Sequence, residues 1–329
     1  MTAELAPGAP APQQPASRPE WLALALAAAT TALLAVLLLS IGPLGMFGLP
    51  LVGVPVARLA HRGGLGTALL ATGIAGALMA GLAWLDGGAR DLSSPLALVA
   101  LTAGLPAFFS GLVRQGADPS REYLALAVSG CVLLGALLLL PPAMGSPSMG
   151  DQVAAAFDGM IPGAMASYSK ANVDAETMAR VKATLEAARD FSRQYWVGLV
   201  GAFWVLSSAV TFYTGARSAR PAASAQRTRF EALSVPAVFA PLFVAAGAAW
   251  ALAPGVVRQA SGDVLLPLAA LYFVAGLSII CHFARRWLRI GVLRIGLYAL
   301  VVYFPMSVGV ALLGLFDWYA NFRRRGEEA

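Results

Sequence analysis

The sequence predicts an all-α protein, a polytopic transmembrane helical bundle with 8–9 membrane segments and an amphipathic helical loop. Hydrophobic residues make up 58% of the chain and charged residues only 12%, about half the charged fraction of a soluble protein. The charges are clustered and leave long apolar windows, each near the roughly 20 residues that a helix needs to cross a membrane. Alternating strand patterns are absent, so each window is expected to be a helix that satisfies its own backbone hydrogen bonds.

The chain is expected to form one transmembrane domain, residues 20–325, between two tails. Residues 1–19 are rich in Pro and Ala, a composition typical of a disordered tail, and 326–329 form a short C-terminal tail. The predicted membrane segments fall near 22–41, 44–60, 65–85, 95–113, 122–141, 195–215, 233–253, 263–284 and 295–317. The second segment is short, which leaves the count at eight or nine.

Residues 142–194 interrupt the apolar windows and are expected to lie outside the membrane as a pair of amphipathic helices. Asp174 is placed to cap the second of these helices, in which apolar residues recur at three and four positions. The first is expected to end where Pro162 interrupts it. The pair is expected to pack on neighbouring spans or lie on the membrane surface, and a docking site for a partner is the alternative.

Arginines in the short loops indicate the sidedness of the chain. With the N-terminus in the cytoplasm, most of them fall on the cytoplasmic side, as is usual for a bacterial inner membrane protein. The run 323–325 is the exception if the last segment crosses once. A break at Pro305 would instead allow a hairpin of 290–304 and 306–322 that returns to the cytoplasm.

The predicted membrane windows contain almost no ionisable or reactive residues. Ionisable groups inside the membrane are the usual mark of a relay or pump. The apolar windows between the charged clusters contain only His282, apart from cysteine and tyrosine; these windows are 21–57, 63–85, 92–113, 123–150, 194–216, 232–257, 264–284 and 295–316. The sequence lacks a phosphate loop, a zinc-protease motif and a nucleophile elbow. We therefore expect no enzyme activity, no catalytic, cofactor-binding or metal-binding residues, and no cofactor. The net charge of +6 comes from loop arginines and does not predict binding to nucleic acid.

Two sets of residues are candidates for a functional site. Polar residues at helical spacing in segment 195–215 would face the protein interior, as a cavity lining or as an interhelical polar face; these are Trp204, Ser207, Ser208 and Thr211. The second set would form an ionic clamp between the last two helices or anchor the chain at the membrane interface. It comprises Asp317, Arg285, Arg286, Arg289 and Arg323. Separately, the small residues Gly73, Ala77 and Gly81 are expected to allow close helix packing.

Three stretches resemble the YybS-like family of predicted bacterial membrane proteins. They are "GLPLVGVPVARLAHRGGLGTALLA" near the start, "LLPLAALYFVAGLSIICHFARR" ending at Arg286, and the closing "LLGLFDWYANFRRR". Gly314, Asp317, Phe322 and Arg323 match the family's closing motif, whereas Asn321 stands where a second acid is common. The family's fold is thought to be similar to the substrate-binding membrane subunits of energy-coupling-factor transporters. The resemblance therefore implies a helical bundle with a solute cavity that works with partners.

Two functions remain open at this point. The first is a non-catalytic solute-binding or transport-related membrane subunit. The alternative is a structural or assembly factor of the bacterial envelope that acts through the extramembrane amphipathic helices. Membrane lipid is the expected partner in both, other membrane or envelope proteins are candidates, and the sequence does not name a small-molecule ligand.

Overall fold

The computed structural model describes residues 20–40, 48–85, 99–105, 118–143, 148–171, 173–219, 230–287 and 306–320, with isolated positions at 293, 297, 301 and 322. These residues form ten α-helices: α1 (Glu20–Ser40), α2 (Leu49–Val52), α3 (Val54–Leu85), α4 (Pro119–Ala143), α5 (Met149–Lys170), α6 (Ala175–Gln194), α7 (Trp196–Ala219), α8 (Phe239–Leu252), α9 (Gly255–Trp287) and α10 (Met306–Ala320). A π-helical turn (Ala100–Gly104) and a 3-10 turn (Phe230–Ala232) complete the described part, which contains no strand.

The predicted all-α membrane bundle is confirmed. Within the described residues, four helices are long and apolar enough to cross a membrane, namely α1, α3, α7 and α9, and two shorter apolar helices, α8 and α10, accompany them. Much of the predicted segments 95–113 and 295–317 lies outside the described residues, so the total of 8–9 segments stays a prediction. The proposed tails 1–19 and 326–329 also lie outside them.

Helix α7 is the centre of the bundle because it contacts both groups of packed helices. On one side it meets α2 and α3, and α3 in turn packs on α1. On the other side it meets α4 and α9. Large buried side chains fill this second interface, including Tyr123, Trp204, Phe212 and Leu271. In the buried clusters on the side of α1, α2 and α3, at least half of the residues are alanines. The sequence of α7 is apolar on nearly all sides, as expected for a helix with neighbours around it.

Helices α9 and α10 form a close antiparallel pair. A Cβ on Gly276 would collide with the backbone of Val310, and one on Gly314 would collide with the backbone of Tyr272. As residue numbers rise along α10, the facing residue numbers fall along α9, so the two helices run in opposite directions. Only glycine allows two helix backbones to approach this closely.

Helix α3 changes direction at Gly64, whose φ of 79° lies in the left-handed region that glycine adopts without steric cost. The stretch "HRGGLG" therefore separates two helical parts of α3. The small residues that follow meet no helix in the described part of the chain, so the close helix packing expected of them stays a prediction. Nothing lies within 4 Å of a Cβ built on Gly73 or Gly81, and Ala77 is exposed. This stripe faces away from the described part of the bundle.

Helices α5 and α6 form the predicted amphipathic hairpin. Asp174 caps α6 by accepting a hydrogen bond of 2.8 Å from the backbone N–H of Thr177. Two ion pairs join the helices, Arg189 to Asp158 at 2.7 Å and Arg193 to Asp151 at 2.9 Å. All four charged side chains are at least partly exposed to solvent, so these pairs orient the hairpin more than they stabilise it.

The predicted interruption at Pro162 is wrong, because α5 continues through it to Lys170. A proline removes one backbone hydrogen bond, here the one to the carbonyl of Asp158. Pro162 and Asp158 are both exposed. Water can therefore satisfy the freed carbonyl, and the helix continues at a reduced cost.

Candidate functional site

The polar face of α7 is buried in full. Trp204, Ser207, Ser208 and Thr211 expose at most 2% of their surface. The indole Nε1 of Trp204 donates to the backbone carbonyl of Leu126 in α4 at 3.3 Å. Its ring lies directly against Gly130, where any side chain would collide with it. Trp204 therefore joins α4 to α7.

The side chains of Ser208 and Thr211 lie against neighbouring helical backbone, while the hydroxyl of Ser207 is buried without a hydrogen-bond partner among the described residues. Ser208 donates to the carbonyl of Val205 in its own helix at 3.0 Å. Thr211 lies close to Gly53, the residue between α2 and α3. A Cβ built on Gly53 would be 3.2 Å from the Thr211 side chain. Of the two roles predicted for this set, the geometry favours the interhelical polar face. Whether the four residues take part in function stays a prediction.

A cavity of about 350 Å³ lies beside this face, between α4, α7, α8 and α9. On α7 it is lined by Val197, Gly201 and Val205, which are spaced four residues apart and so share one side of the helix. This side is next to the polar face and was not singled out in the sequence. The volume falls at the small end of the ~300–1,000 Å³ usual for ligand pockets.

The cavity opens toward the side of the bundle. Val132 of α4 and Leu242 of α8 line it and expose 68% and 48% of their surface. Both belong to helices with predicted membrane segments, so the surface that they expose is expected to face hydrocarbon. On this expectation the opening is reached from the lipid phase.

Among the described residues that line the cavity, Asp263 is the only charged one. Its Oδ1 accepts a hydrogen bond of 2.8 Å from the backbone N–H of Gly198, in the first turn of α7, where helix N–H groups lack a partner in their own helix. Gly198 permits this contact, because a Cβ there would lie 2.7 Å from the Cα of Asp263. Asp263 is the first residue of the predicted segment 263–284, and an acid at the very start of an apolar span was the signal available in the sequence.

Aromatic residues surround this end of the bundle. The indole Nε1 of Trp250 donates to the hydroxyl of Tyr195 at 3.0 Å, and the guanidinium of Arg258 lies 5.5 Å from the centre of the Trp250 ring. Twenty-two residues of α9 separate Asp263 from Arg285, a rise of about 33 Å. That distance is close to the thickness of the hydrocarbon core, so the two residues lie near opposite membrane interfaces.

The second candidate set is divided by the structure. Arg285 pairs with Glu231 of the 3-10 turn at 2.7 Å. Gly314 lies opposite Tyr272, about 20 Å from Arg285 along α9, and Asp317 is nearly one turn further away. The clamp between Asp317 and Arg285 is therefore not formed, because α10 runs antiparallel to α9. Arg286 is exposed beside Arg285, while Arg289 and Arg323 lie outside the described residues.

Asp317 keeps its alternative assignment as an interface anchor. It is half-buried near the end of α10, and the rings of Trp318 and Tyr319 follow it, both well exposed. Such aromatic residues are typical of the membrane interface. The anchoring role itself stays a prediction.

Comparison with known proteins identifies a family and nothing finer. Neither the curated proteins nor the solved structures contain a match to the chain. The resemblance to the substrate-binding subunits of energy-coupling-factor transporters is therefore without support from these comparisons. A family described as "predicted membrane protein (DUF2232)" matches residues 29–318, a range that includes the first two stretches that resemble YybS-like proteins and the start of the third. The protein is thus a multi-pass membrane protein that belongs to this family of predicted membrane proteins.

Proposed function

We propose that the protein is a non-catalytic membrane subunit that binds a mainly apolar solute in the cavity between α4, α7, α8 and α9. The cavity carries this proposal because it combines a volume of about 350 Å³ with walls made almost entirely of apolar side chains. A water-soluble metabolite would need several convergent polar groups for its orientation. An apolar molecule needs only a surface that excludes water.

The polar face of α7 supports this function indirectly. Trp204 and Thr211 hold α7 against α4 and against the α2–α3 junction, so the wall formed by Val197, Gly201 and Val205 has a fixed position. Sites built on rigid elements bind more selectively than sites on loops. In this proposal the polar residues position the cavity and do not touch the solute.

Filling the cavity tests the proposal. Val132→Trp places a large ring at the exposed rim of the opening, where it does not need to displace a buried neighbour. Leu133→Trp is the matched control, since Leu133 is the adjacent exposed residue of α4 and does not line the cavity. Both proteins, and the unmodified one, would be purified from native membranes and examined by native mass spectrometry.

We expect a bound apolar molecule to co-purify with the unmodified protein and with Leu133→Trp, and to be lost from Val132→Trp. Retention of the same molecule by Val132→Trp would refute binding in this cavity. Release of bulk membrane lipid alone from all three proteins would also count against the proposal.

The α5–α6 hairpin favours a second candidate, an assembly factor of the envelope. Helix α6 buries none of its residues, and Met160 of α5 and Phe191 of α6 are exposed. A photo-crosslinking residue at Met160 that traps one defined membrane or envelope protein would support this function. The same residue at Ala183, on an exposed part of α6, is the control, and equal capture at both positions would indicate random contact.

The proposed location is the bacterial cytoplasmic membrane with the N-terminus in the cytoplasm. The bias of arginines toward one set of loops supports this orientation. It places Arg285 at the cytoplasmic interface and Asp263, with the α5–α6 hairpin, at the outer one. The contact of Gln259 Nε2 with the carbonyl of Gln194 at 3.0 Å is consistent with the hairpin and the start of α9 lying on the same side.

A further inference from the structure

The cavity has two chemically different parts. Its walls are aliphatic and aromatic and include Val128, Val205, Phe239 and Leu268. Its one charge within the described lining is the carboxylate of Asp263. A purely apolar cavity would accept any hydrocarbon of suitable size, whereas a carboxylate in the lining distinguishes between molecules by the group that they place beside it.

The position of Asp263 matches the depth of a lipid headgroup. It lies one hydrocarbon thickness from Arg285 along α9 and beside the aromatic group of Trp250 and Tyr195. The apolar walls extend from this level toward the membrane interior, since Leu268 and Leu271 follow Asp263 by one and two turns. A molecule lying along the cavity therefore has its polar end at the interface and its chain in the hydrocarbon.

The carboxylate of Asp263 has capacity for a further donor. A carboxylate offers about four lone-pair positions, and the hydrogen bond from Gly198 uses Oδ1. Within the described part of the chain, no cationic side chain pairs with Asp263. Arg258, the nearest in sequence on α9, lies over the ring of Trp250. The site thus offers an acceptor with negative charge at the mouth of an apolar cavity.

We infer that the cavity takes a single-chain amphiphile with an ammonium head, whose cationic group donates hydrogen bonds to Asp263 while its chain lies against α4, α7, α8 and α9. The inference rests on the proposed function and specifies the class of its ligand. Charge complementarity selects the head, because a carboxylate attracts an ammonium, accepts from a neutral hydroxyl less strongly, and repels an anionic head. The lateral opening at Val132 and Leu242 lets the chain enter from the lipid.

Three amphiphiles with the same chain test the inference. Dodecylamine, dodecanol and dodecanoate, each with a photoreactive diazirine at the chain end, would be added to the full-length protein in phosphatidylcholine nanodiscs. Peptide mapping then measures labelling of the cavity segments of α4 and α8. Labelling of the exposed face of α10 provides the normalisation, since it reports each probe's concentration in the membrane.

We expect the amine to label the cavity on the order of tenfold more than the alcohol, the effect of one charge-assisted hydrogen bond, and the carboxylate to label it less than the alcohol. Asp263→Asn should remove the preference for the amine and leave alcohol labelling unchanged. Asp263→Glu, which keeps the charge, should retain the preference. If neither variant folds, the comparison of the three heads on the unmodified protein decides the question.

The outcomes separate this inference from the proposed function. Equal labelling by all three probes that Val132→Trp abolishes would overturn the choice of head and leave the cavity as a binding site. Labelling that is confined to the exposed surface, with no effect of Val132→Trp, would refute the proposed function together with the inference.

Discussion

The contact between α9 and α10 makes a quantitative prediction about Gly314. A Cβ at this position would lie inside the van der Waals contact distance of the Tyr272 carbonyl oxygen and 2.6 Å from the backbone nitrogen of Gly276. Both obstacles are backbone atoms, so no side chain can rotate away. Gly314→Ala must therefore displace α10 as a whole.

The expected cost follows from two opposing effects. Replacing glycine by alanine inside a helix gains about 0.5–1 kcal/mol in conformational free energy, whereas overpacking a close contact costs about 1–3 kcal/mol. A collision with rigid backbone belongs at the upper end of that range. We therefore expect Gly314→Ala to lower the free energy of unfolding by about 2 kcal/mol.

Gly309 provides the matched control. It lies in the same helix, is exposed, and has nothing within 4 Å of a built Cβ. Gly309→Ala should leave the free energy of unfolding unchanged or raise it by up to about 1 kcal/mol. Unfolding with dodecyl sulfate in mixed micelles measures both variants. Equal stability of Gly314→Ala and Gly309→Ala would refute the antiparallel contact, and with it the position given to Asp317.

Three further predictions concern the ends of the bundle. If the antiparallel α10 is the final crossing, a cysteine at Ala329 should react with an impermeant thiol reagent on intact cells; reaction only after lysis would favour the hairpin model. A double-mutant cycle with Arg285→Ala and Glu231→Ala should give a coupling of about 1 kcal/mol or less that weakens at high salt, and a salt-independent value would mean that the pair is shielded from solvent. The hydrogen bond from the Thr177 backbone N–H lowers the pKa of Asp174 below its ordinary value. The Asp174 carboxylate should therefore stabilise α6 above pH about 4, and this stabilisation should be lost as the pH falls through the lowered pKa. Circular dichroism of the protein would detect the loss of helix. In Asp174→Asn this dependence on pH should be absent.

Local patterns in the sequence predicted several features correctly. Asp174 caps α6 because an acidic side chain just before a helix can accept from its free N–H groups. The change of direction of α3 at Gly64 falls between the predicted segments 44–60 and 65–85. These features depend on neighbouring residues alone, so they can be inferred from sequence. The interior location of Ser208 and Thr211 also followed from a local rule, the cost of placing hydroxyl groups against lipid.

Features that depend on distant residues could not be predicted in this way. The small residues from Gly73 to Gly81 have the same spacing as a packed interface but face away from the described bundle, because spacing does not specify which helix lies opposite. Pro162 predicted a helix end, yet the exposure of α5 lets the helix continue. The sequence also suggested Asp317 as a partner of Arg285. Its actual partner is Glu231, which is 54 residues away in the sequence, and local patterns do not identify so distant a contact.

The sequence by itself determined that this chain is a helical membrane protein. The bilayer requires apolar segments of a set length, with the charged residues gathered between them. Both features can be read from the sequence without knowing how the helices pack. The tertiary structure alone decided where an apolar molecule fits. The cavity forms where Gly198 brings the start of α7 against Asp263 while α4 and α8 stand apart. Four helices from separate parts of the chain create that space, and their relative positions are set by contacts between residues far apart in sequence.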